Sequence, residues 1–266
     1  TGLSAPTQVT ATASATAPSV TVTWDSVQGA SGYEVARIDG LSWSVVGSTL
    51  VGQAGATSPF IDTSATSGTT YTYAVRAVYV VGGGWLVSGW SPAAAVTTIP
   101  AAPTSISATP GAVTATEASV DLAWFATLGA TGYVVQRSAD SAFTSPTQVT
   151  SIADATAHDN GLGFVTTYYY RVAATNAAGQ SPWSPAATVL TNLGAPTQLT
   201  ATASTVAPVS VSITWQPVSG ATAYALARST GATFDGGTAT VLKGVEGFAG
   251  VIKDATVGVL TRPHSN

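Results

Sequence analysis

His158 stands in the run Asp154-Ala155-Thr156-Ala157-His158-Asp159. An imidazole beside carboxylates is the donor set of a divalent-metal site or a proton relay. No matching histidine or acidic pair recurs elsewhere along the chain, so the run reads as a polar loop entering a strand. The other histidine, His264, has no such company and reads as solvated. Nucleophilic chemistry finds no support either. There is no G-x-S-x-G elbow. The absence of cysteine removes thiol nucleophiles, thiolate metal sites and disulfides together. Glycosidic hydrolysis would need two carboxylates across one cleft. No cleft-forming insertion is present, and Asp62, Asp159 and Asp254 recur at like positions, which marks a turn or cap rather than a unique site. Gly82-Gly83-Gly84 lacks the Lys-Ser/Thr and helix of a phosphate loop and reads as a hairpin turn. The expectation is no catalytic, cofactor-binding or metal-ligating residue, no cofactor, and no enzyme activity.

The residues that do recur are architectural. Ala5-Pro6-Thr7 returns as Ala102-Pro103-Thr104 and Ala195-Pro196-Thr197, with Pro-to-Pro spacings of 97 and 93. Trp24, Gly29, Ala30, Tyr33 and Arg37 match Trp124, Gly129, Ala130, Tyr133 and Arg137, and again Trp215, Gly220, Ala221, Tyr224 and Arg228. The offsets from Trp are +5, +6, +9 and +13 in all three copies. Such self-similarity marks a tandem array. Each Trp ends an alternating run: Val20, Val22 and Trp24; Val120, Leu122 and Trp124; Val211, Ile213 and Trp215. Period-two alternation with Thr between predicts half-buried strands. Gly-Ala after each run is turn material, and no stretch carries a helical period. Short strands punctuated by Gly and Pro predict an all-β sandwich.

Each copy resembles a fibronectin type III module. The resemblance rests on the strand Trp, the following Tyr, and a Tyr-x-Tyr-x-Val-x-Ala signature. That signature is Tyr71-Thr72-Tyr73-Ala74-Val75-Arg76-Ala77 in the first copy and Tyr168-Tyr169-Tyr170-Arg171-Val172-Ala173-Ala174 in the second. The resemblance implies tandem immunoglobulin-like β-sandwiches: module 1 at 1–99, module 2 at 100–192, and an incomplete or divergent module 3 at 193–266. It implies core roles for Trp24, Trp124 and Trp215, and tyrosine corners at Tyr71 and Tyr168.

The third copy keeps a strand near 250–256 but has no Tyr-x-Tyr-x-Val-x-Ala, so its last two strands are missing from the expected count. About six inward side chains go with them, each contributing ~1.5–3 kcal/mol when buried. That sum rivals the ~5–15 kcal/mol net stability of a domain. Three readings stand: a piece of a longer chain, strands donated by another polypeptide, or a different closure. The lack of an initiator Met, and the likeness of Thr1–Gln8 to the linker Thr191–Gln198, favour a segment of something longer.

The remaining aromatics divide. Trp90 and Trp183 sit in Trp-Ser-Pro runs and are expected to open the last strand and pack locally. Trp43 and Trp85 have no Trp counterpart in the other copies. Trp85-Leu86 follows the triple glycine at a loop tip, where a large apolar group needs a cover. Trp43, Trp85 and Leu86 are the candidate partner- or glycan-binding residues, the alternative being that they cover their own module. Arg37, Arg137 and Arg228, with Arg76 and Arg171, are expected on an outer sheet face, stacked on aromatics or with their methylene stems laid on apolar surface.

Only 8% of residues are charged and the formal net charge is -4. Eight basic residues make no phosphate-neutralising stripe, so nucleic acid is excluded as a partner. No apolar run reaches the ~18–20 residues of a membrane span, and no signal peptide opens the sequence. Linkers such as Thr98-Ile99-Pro100-Ala101-Ala102-Pro103 are expected to be stiff. The favoured function is a non-enzymatic structural array in a virion appendage such as a phage tail, a filament or a surface fibre, contacting neighbouring subunits. Spacer modules of a secreted polysaccharide-degrading enzyme are the first alternative, and an adhesin or glycan-binding module the second. All three place the chain outside the cell, on its surface or in a virion.

Overall fold

A computed structural model of the chain describes residues 2–39, 42–48, 58–206, 211–228, 240–246 and 251–254. Among them the regular elements are all β-strands and no helix occurs. The first repeat contains β1 (Thr10–Ala13), β2 (Val20–Thr23), β3 (Gly32–Asp39), β4 (Ser42–Ser48), β5 (Phe60–Asp62), β6 (Thr70–Val81), β7 (Gly84–Val87) and β8 (Ala94–Thr97). They form two antiparallel sheets, β1-β2-β5 and β4-β3-β6-β7, with β8 also paired to β6.

The alternation read from the sequence sets which side chains face inward. Val20 and Val22 are fully buried, while Thr21 and Thr23 between them are half-buried. On β6 the row Tyr71, Tyr73, Val75 and Ala77 is buried at 1%, 0%, 0% and 0% exposure. These rows meet Trp24, Tyr33 and Val35 in one core. A one-residue slip would turn every one of them to water, so the register is strongly specified.

The second repeat repeats the plan with β9 (Ile106–Val113), β10 (Ala118–Trp124), β11 (Gly132–Ser138), β12 (Thr147–Ile152), β13 (Thr156–Leu162), β14 (Thr167–Asn176), β15 (Gly179–Gln180) and β16 (Ala187–Leu190). Its sheets run β13-β10-β9 and β12-β11-β14-β15, with β16 on β14. Pro110 has no amide to donate and sits in β9, an edge strand where that costs least.

The third repeat supplies β17 (Thr197–Ala203), β18 (Val211–Gln216), β19 (Ala223–Arg228), β20 (Thr240–Glu246) and β21 (Val251–Asp254). They form a sheet β17-β18-β21 and a ribbon β19-β20. The strand expected near 250–256 is β21, and Val211 pairs with Asp254 as Val20 pairs with Asp62. The chain separates into two compact units, one of residues 1–108, 122–157 and 169–188, the other of 109–121, 158–168 and 189–266.

One turn recurs in all three copies and explains the glycine at +5. Ala30, Ala130 and Ala221 donate to the carbonyls of Val27, Thr127 and Val218, each at 3.1 Å. Gly29, Gly129 and Gly220 occupy the third turn position with φ of 82°, 72° and 82°. A side chain there would strain the backbone.

Candidate functional site

The turn returns a tyrosine to the Trp strand. Trp24–Tyr33, Trp124–Tyr133 and Trp215–Tyr224 all have ring centroids 5.3 Å apart. The phenol oxygens accept the amides of Val27, Thr127 and Val218 at 2.7, 2.8 and 2.6 Å. Trp24, Trp124 and Trp215 are all buried. The same geometry in three copies makes this pivot architecture, and its spacing is what the repeat preserves. The corner tyrosines sit further along. Tyr71 Oη accepts from Thr66 N at 2.9 Å and is buried; Tyr168 Oη accepts from Gly163 N at 3.3 Å and is half-buried.

The polar cluster of the first repeat lies at the edge of this core. Arg37 shares the inward row of Tyr33 and Val35, so it is not on the outer sheet face as expected from its exposure-prone side chain. Its Nη1 donates to Asp62 Oδ2 at 2.8 Å and to Ser64 Oγ at 2.9 Å, and its guanidinium lies over the Tyr71 ring. Tyr73 Oη donates to the same Asp62 oxygen at 2.8 Å, and Ser64 N and Oγ donate to the other at 2.9 and 2.7 Å. Burial pushes the Asp62 carboxyl up, but the bonds from Ser64, Tyr73 and Arg37 outweigh it and hold the group below the usual aspartate range. Burial, then the Asp62 carboxylate, raise the Tyr73 phenol, so it stays a donor. The cluster ties one sheet to the other. Both Asp62 oxygens and the Tyr73 hydroxyl are engaged within the cluster, while Arg37 Nε is buried without a hydrogen-bond partner.

Arg76 and Arg171 are on the outer face and stacked. Arg76 Nε donates to Glu34 Oε2 at 2.5 Å, and its guanidinium lies 4.6 Å over the Trp90 ring. Trp43 meets Trp90 edge-on at 6.4 Å. Arg171 donates twice to Gln136 Oε1 and lies between Phe143 and Trp183, 4.2 and 4.5 Å from their ring centres. The copies differ in the outermost ring. Phe143 is 9% exposed, held down by a turn in which Asp140 Oδ1 accepts from Ala142 N and Thr144 N. Trp43 is 65% exposed. Trp90 and Trp183 precede β8 and β16 rather than opening them.

Trp85 and Leu86 lie on β7, beyond the turn in which Gly82 and Gly83 take φ of 55° and 81°. Trp85 pairs with Val80 and Leu86 with Tyr79, so the two point to opposite faces of the hairpin. Both are exposed. The pairings Ile38–Trp43, Glu34–Arg76 and Val80–Trp85 put Trp43 and Trp85 on one sheet face. They are eight residues apart along the strands, about 27 Å at ~3.4 Å per residue. Ile38 and Val45 add exposed apolar area beside Trp43.

His158 lies within β13, not in a loop before it, and its Nδ1 faces Asp121 Oδ1 at 2.5 Å across the sheet. Both side chains are half-exposed or more. Among the described residues no group of three His, Asp or Glu gathers to hold a metal ion. His264 lies outside the described residues.

No known family's profile matches the chain. Exoglucanase B of Cellulomonas fimi is 34% identical over 201 residues, which is 67% of this chain and 16% of that protein's length. Among solved structures, the FN1-FN3 domains of chicken CNTN1 align over 95% of this chain and 88% of theirs, at 16% identity and a TM-score of 0.37. A two-domain fibronectin type-III segment of chicken tenascin aligns over 70% of this chain and 98% of its own, at 14% identity and a TM-score of 0.39. Strand order, register and the repeated Trp–Tyr pivot together make the chain a tandem run of β-sandwich modules resembling fibronectin type III and immunoglobulin-like modules.

Proposed function

We propose that the chain is a non-enzymatic structural array, with modules at 1–99, 100–192 and 193–266, working outside the cell, on its surface or in a virion assembly. The observation that carries this is how the side chains are used. Arg37, Asp62 and Tyr73 close on one another, and Arg76 and Arg171 are capped by rings. What faces outward in quantity is apolar: Trp43, Trp85, Leu86, Ile38 and Val45. Such a surface suits protein contacts, with Trp43 and Trp85 as anchors against neighbouring subunits. Their ~27 Å separation fits an extended partner better than a small ligand. A strand donor to module 3 is a second partner of the array.

The likeness to exoglucanase B favours a second reading, spacer modules within a secreted polysaccharide-degrading enzyme. The two part on what else the native polypeptide carries. Mass and sequence of that polypeptide, with immunogold labelling of the producing cells, decide between them. Label along a filament or appendage and no hydrolase sequence support the array. A hydrolase domain on the same polypeptide establishes the spacer reading instead. Retention of the chain on insoluble glucan, lost in Trp43→Ala/Trp85→Ala, would favour a glycan-binding module over both.

A further inference from the structure

We infer that the first two repeats are built to refuse strand addition at both borders of their larger sheet. Copies of this chain then meet through faces and ends, not by continuing one another's sheets. The inference goes beyond the proposed function and stands for a structural array and for a spacer alike.

The hazard comes from repetition itself. Copies that share strands and register can pair at each other's borders, and an open border strand is a template for such pairing. One border is formed by β4 and β12, which end their sheets among the described residues. Each is joined to its neighbour through a break in register. Val35 faces Gly47 and Ala36 faces Val45, which leaves Val46 without a cross-strand partner. Val135 faces Thr150 and Gln136 faces Gln148, which leaves Val149 without one. The third repeat breaks at Leu242, between the partners of Leu226 and Ala227. Val35, Val135 and Leu226 each lie two residues after the pivot tyrosine, so the break is a repeated feature. Such a bulge bends the strand and interrupts the spacing of its outward amides and carbonyls.

The other border is closed by serine. The Ser91 and Ser88 amides donate to the carbonyls of Val75 and Ala77 on β6, each at 2.9 Å. An ordinary strand would offer its own carbonyls to the Val75 and Ala77 amides in return. Here the Ser91 and Ser88 hydroxyls accept them, at 3.0 and 2.9 Å. Ser184 and Ser181 do the same for Val172 and Ala174 on β14. The four hydroxyls then donate to the carbonyls of Pro92, Gly89, Pro185 and Pro182, at 2.9, 2.8, 2.9 and 2.8 Å. In an ordinary antiparallel strand these following residues would aim their amides and carbonyls at the next strand. Their carbonyls are already engaged, and the three prolines have no amide. All four serines are buried. Most residues can make a plain strand, so the Ser-x-Trp-Ser-Pro run shared by 88–92 and 181–185 is what closes this border.

The test compares dilute and concentrated native chain by amide exchange with mass spectrometry. Exchange over 42–48, 88–93, 147–152 and 181–186 should be the same in both. Slowing at any of these borders by about tenfold or more in the concentrated chain overturns the inference. Two variants restore an ordinary border: deletion of Val149, and Ser181→Val/Pro182→Thr/Ser184→Val/Pro185→Thr. Each should show intermolecular β-sheet by isotope-edited infrared, with self-association tightened by about tenfold or more in sedimentation velocity. Urea denaturation run in parallel shows that the variant is folded. Folded variants that lose stability yet associate no more than wild type show a merely structural role for the serines and the bulge, and overturn the inference. If neither variant folds, the exchange comparison on the native chain decides.

Discussion

The Asp62 carboxylate accepts from Arg37, Ser64 and Tyr73, and its removal is a sharp single-residue test. Asp62→Asn leaves the Arg37 guanidinium without its counter-charge, and breaking such a pair inside a sandwich costs about 3 kcal/mol. Chemical denaturation of the variant reads this directly. The pH dependence has a definite sign. The folded carboxyl titrates below its ordinary 3.8, so its stabilisation is complete above that value. It is lost as pH falls through the depressed folded pKa. The wild-type stability curve should drop on this acid limb, and the Asp62→Asn curve should lack that component. The two corner tyrosines make a second comparison. Tyr71→Phe removes a buried hydroxyl that accepts the Thr66 amide at 2.9 Å and should cost about 1–2 kcal/mol. Tyr168→Phe removes a 3.3 Å bond at a half-buried site and should cost less. Equal losses in thermal denaturation would mean that burial does not set the worth of the corner.

At the level of elements, the turns and linkers are fixed by close backbone approach. Within the first compact unit, a Cβ built on Gly129 would lie 2.3 Å from the Gly68 carbonyl oxygen, and one on Gly68 would lie 2.2 Å from the Leu128 oxygen. Both glycines also have positive φ. The linker residue Ile99 is 1% exposed, and its carbonyl accepts the Gly68 amide at 2.8 Å. Asn176 Nδ2 donates to the Thr98 carbonyl at 2.8 Å and to the Gly129 carbonyl at 3.1 Å. These bonds anchor the Thr98–Ile99 segment independently of its prolines. Asn176→Ala should leave each β-sheet's denaturation midpoint nearly unchanged. It should raise amide exchange around Thr98 and Ile99 by about tenfold, the effect of losing ~1.4 kcal/mol of local protection. Gly129→Ala should be harsher, since backbone rather than a flexible side chain must move. An Asn176→Ala linker exchanging as slowly as wild type would show that proline alone stiffens it.

Over the whole molecule, sparse charge sets the terms of association. With 8 basic and 12 acidic residues in 266, long-range steering is weak and salt has little to screen. Self-association at high concentration should therefore hold or strengthen from low to high salt, and strengthen further in sulfate. Trp43→Ser with Trp85→Ser should reduce it without shifting thermal stability, because both rings are exposed. Sedimentation velocity across a salt series checks both statements, and association that dissolves in salt would point to charge instead.

Much of this was readable from local pattern. Valine–threonine alternation, the Trp-to-Tyr offset and the glycine turn depend on neighbours within a dozen residues, so the sequence alone determined strands, repeat and pivot. The core row Tyr73, Val75 and Ala77 follows from parity along one strand. What needed the tertiary structure is whatever depends on a distant partner. Arg37 has the same parity as Val35, yet only the approach of Asp62 from the opposing sheet explains why a guanidinium is tolerated there. Trp43 meets the Trp90 ring under Arg76, Phe143 stacks on Arg171 itself, and no composition rule separates them. The turn capped by Asp140 presses one ring down, while β4 leaves the other in water. Exposure is a property of the surrounding chain, and a single residue's identity does not carry it.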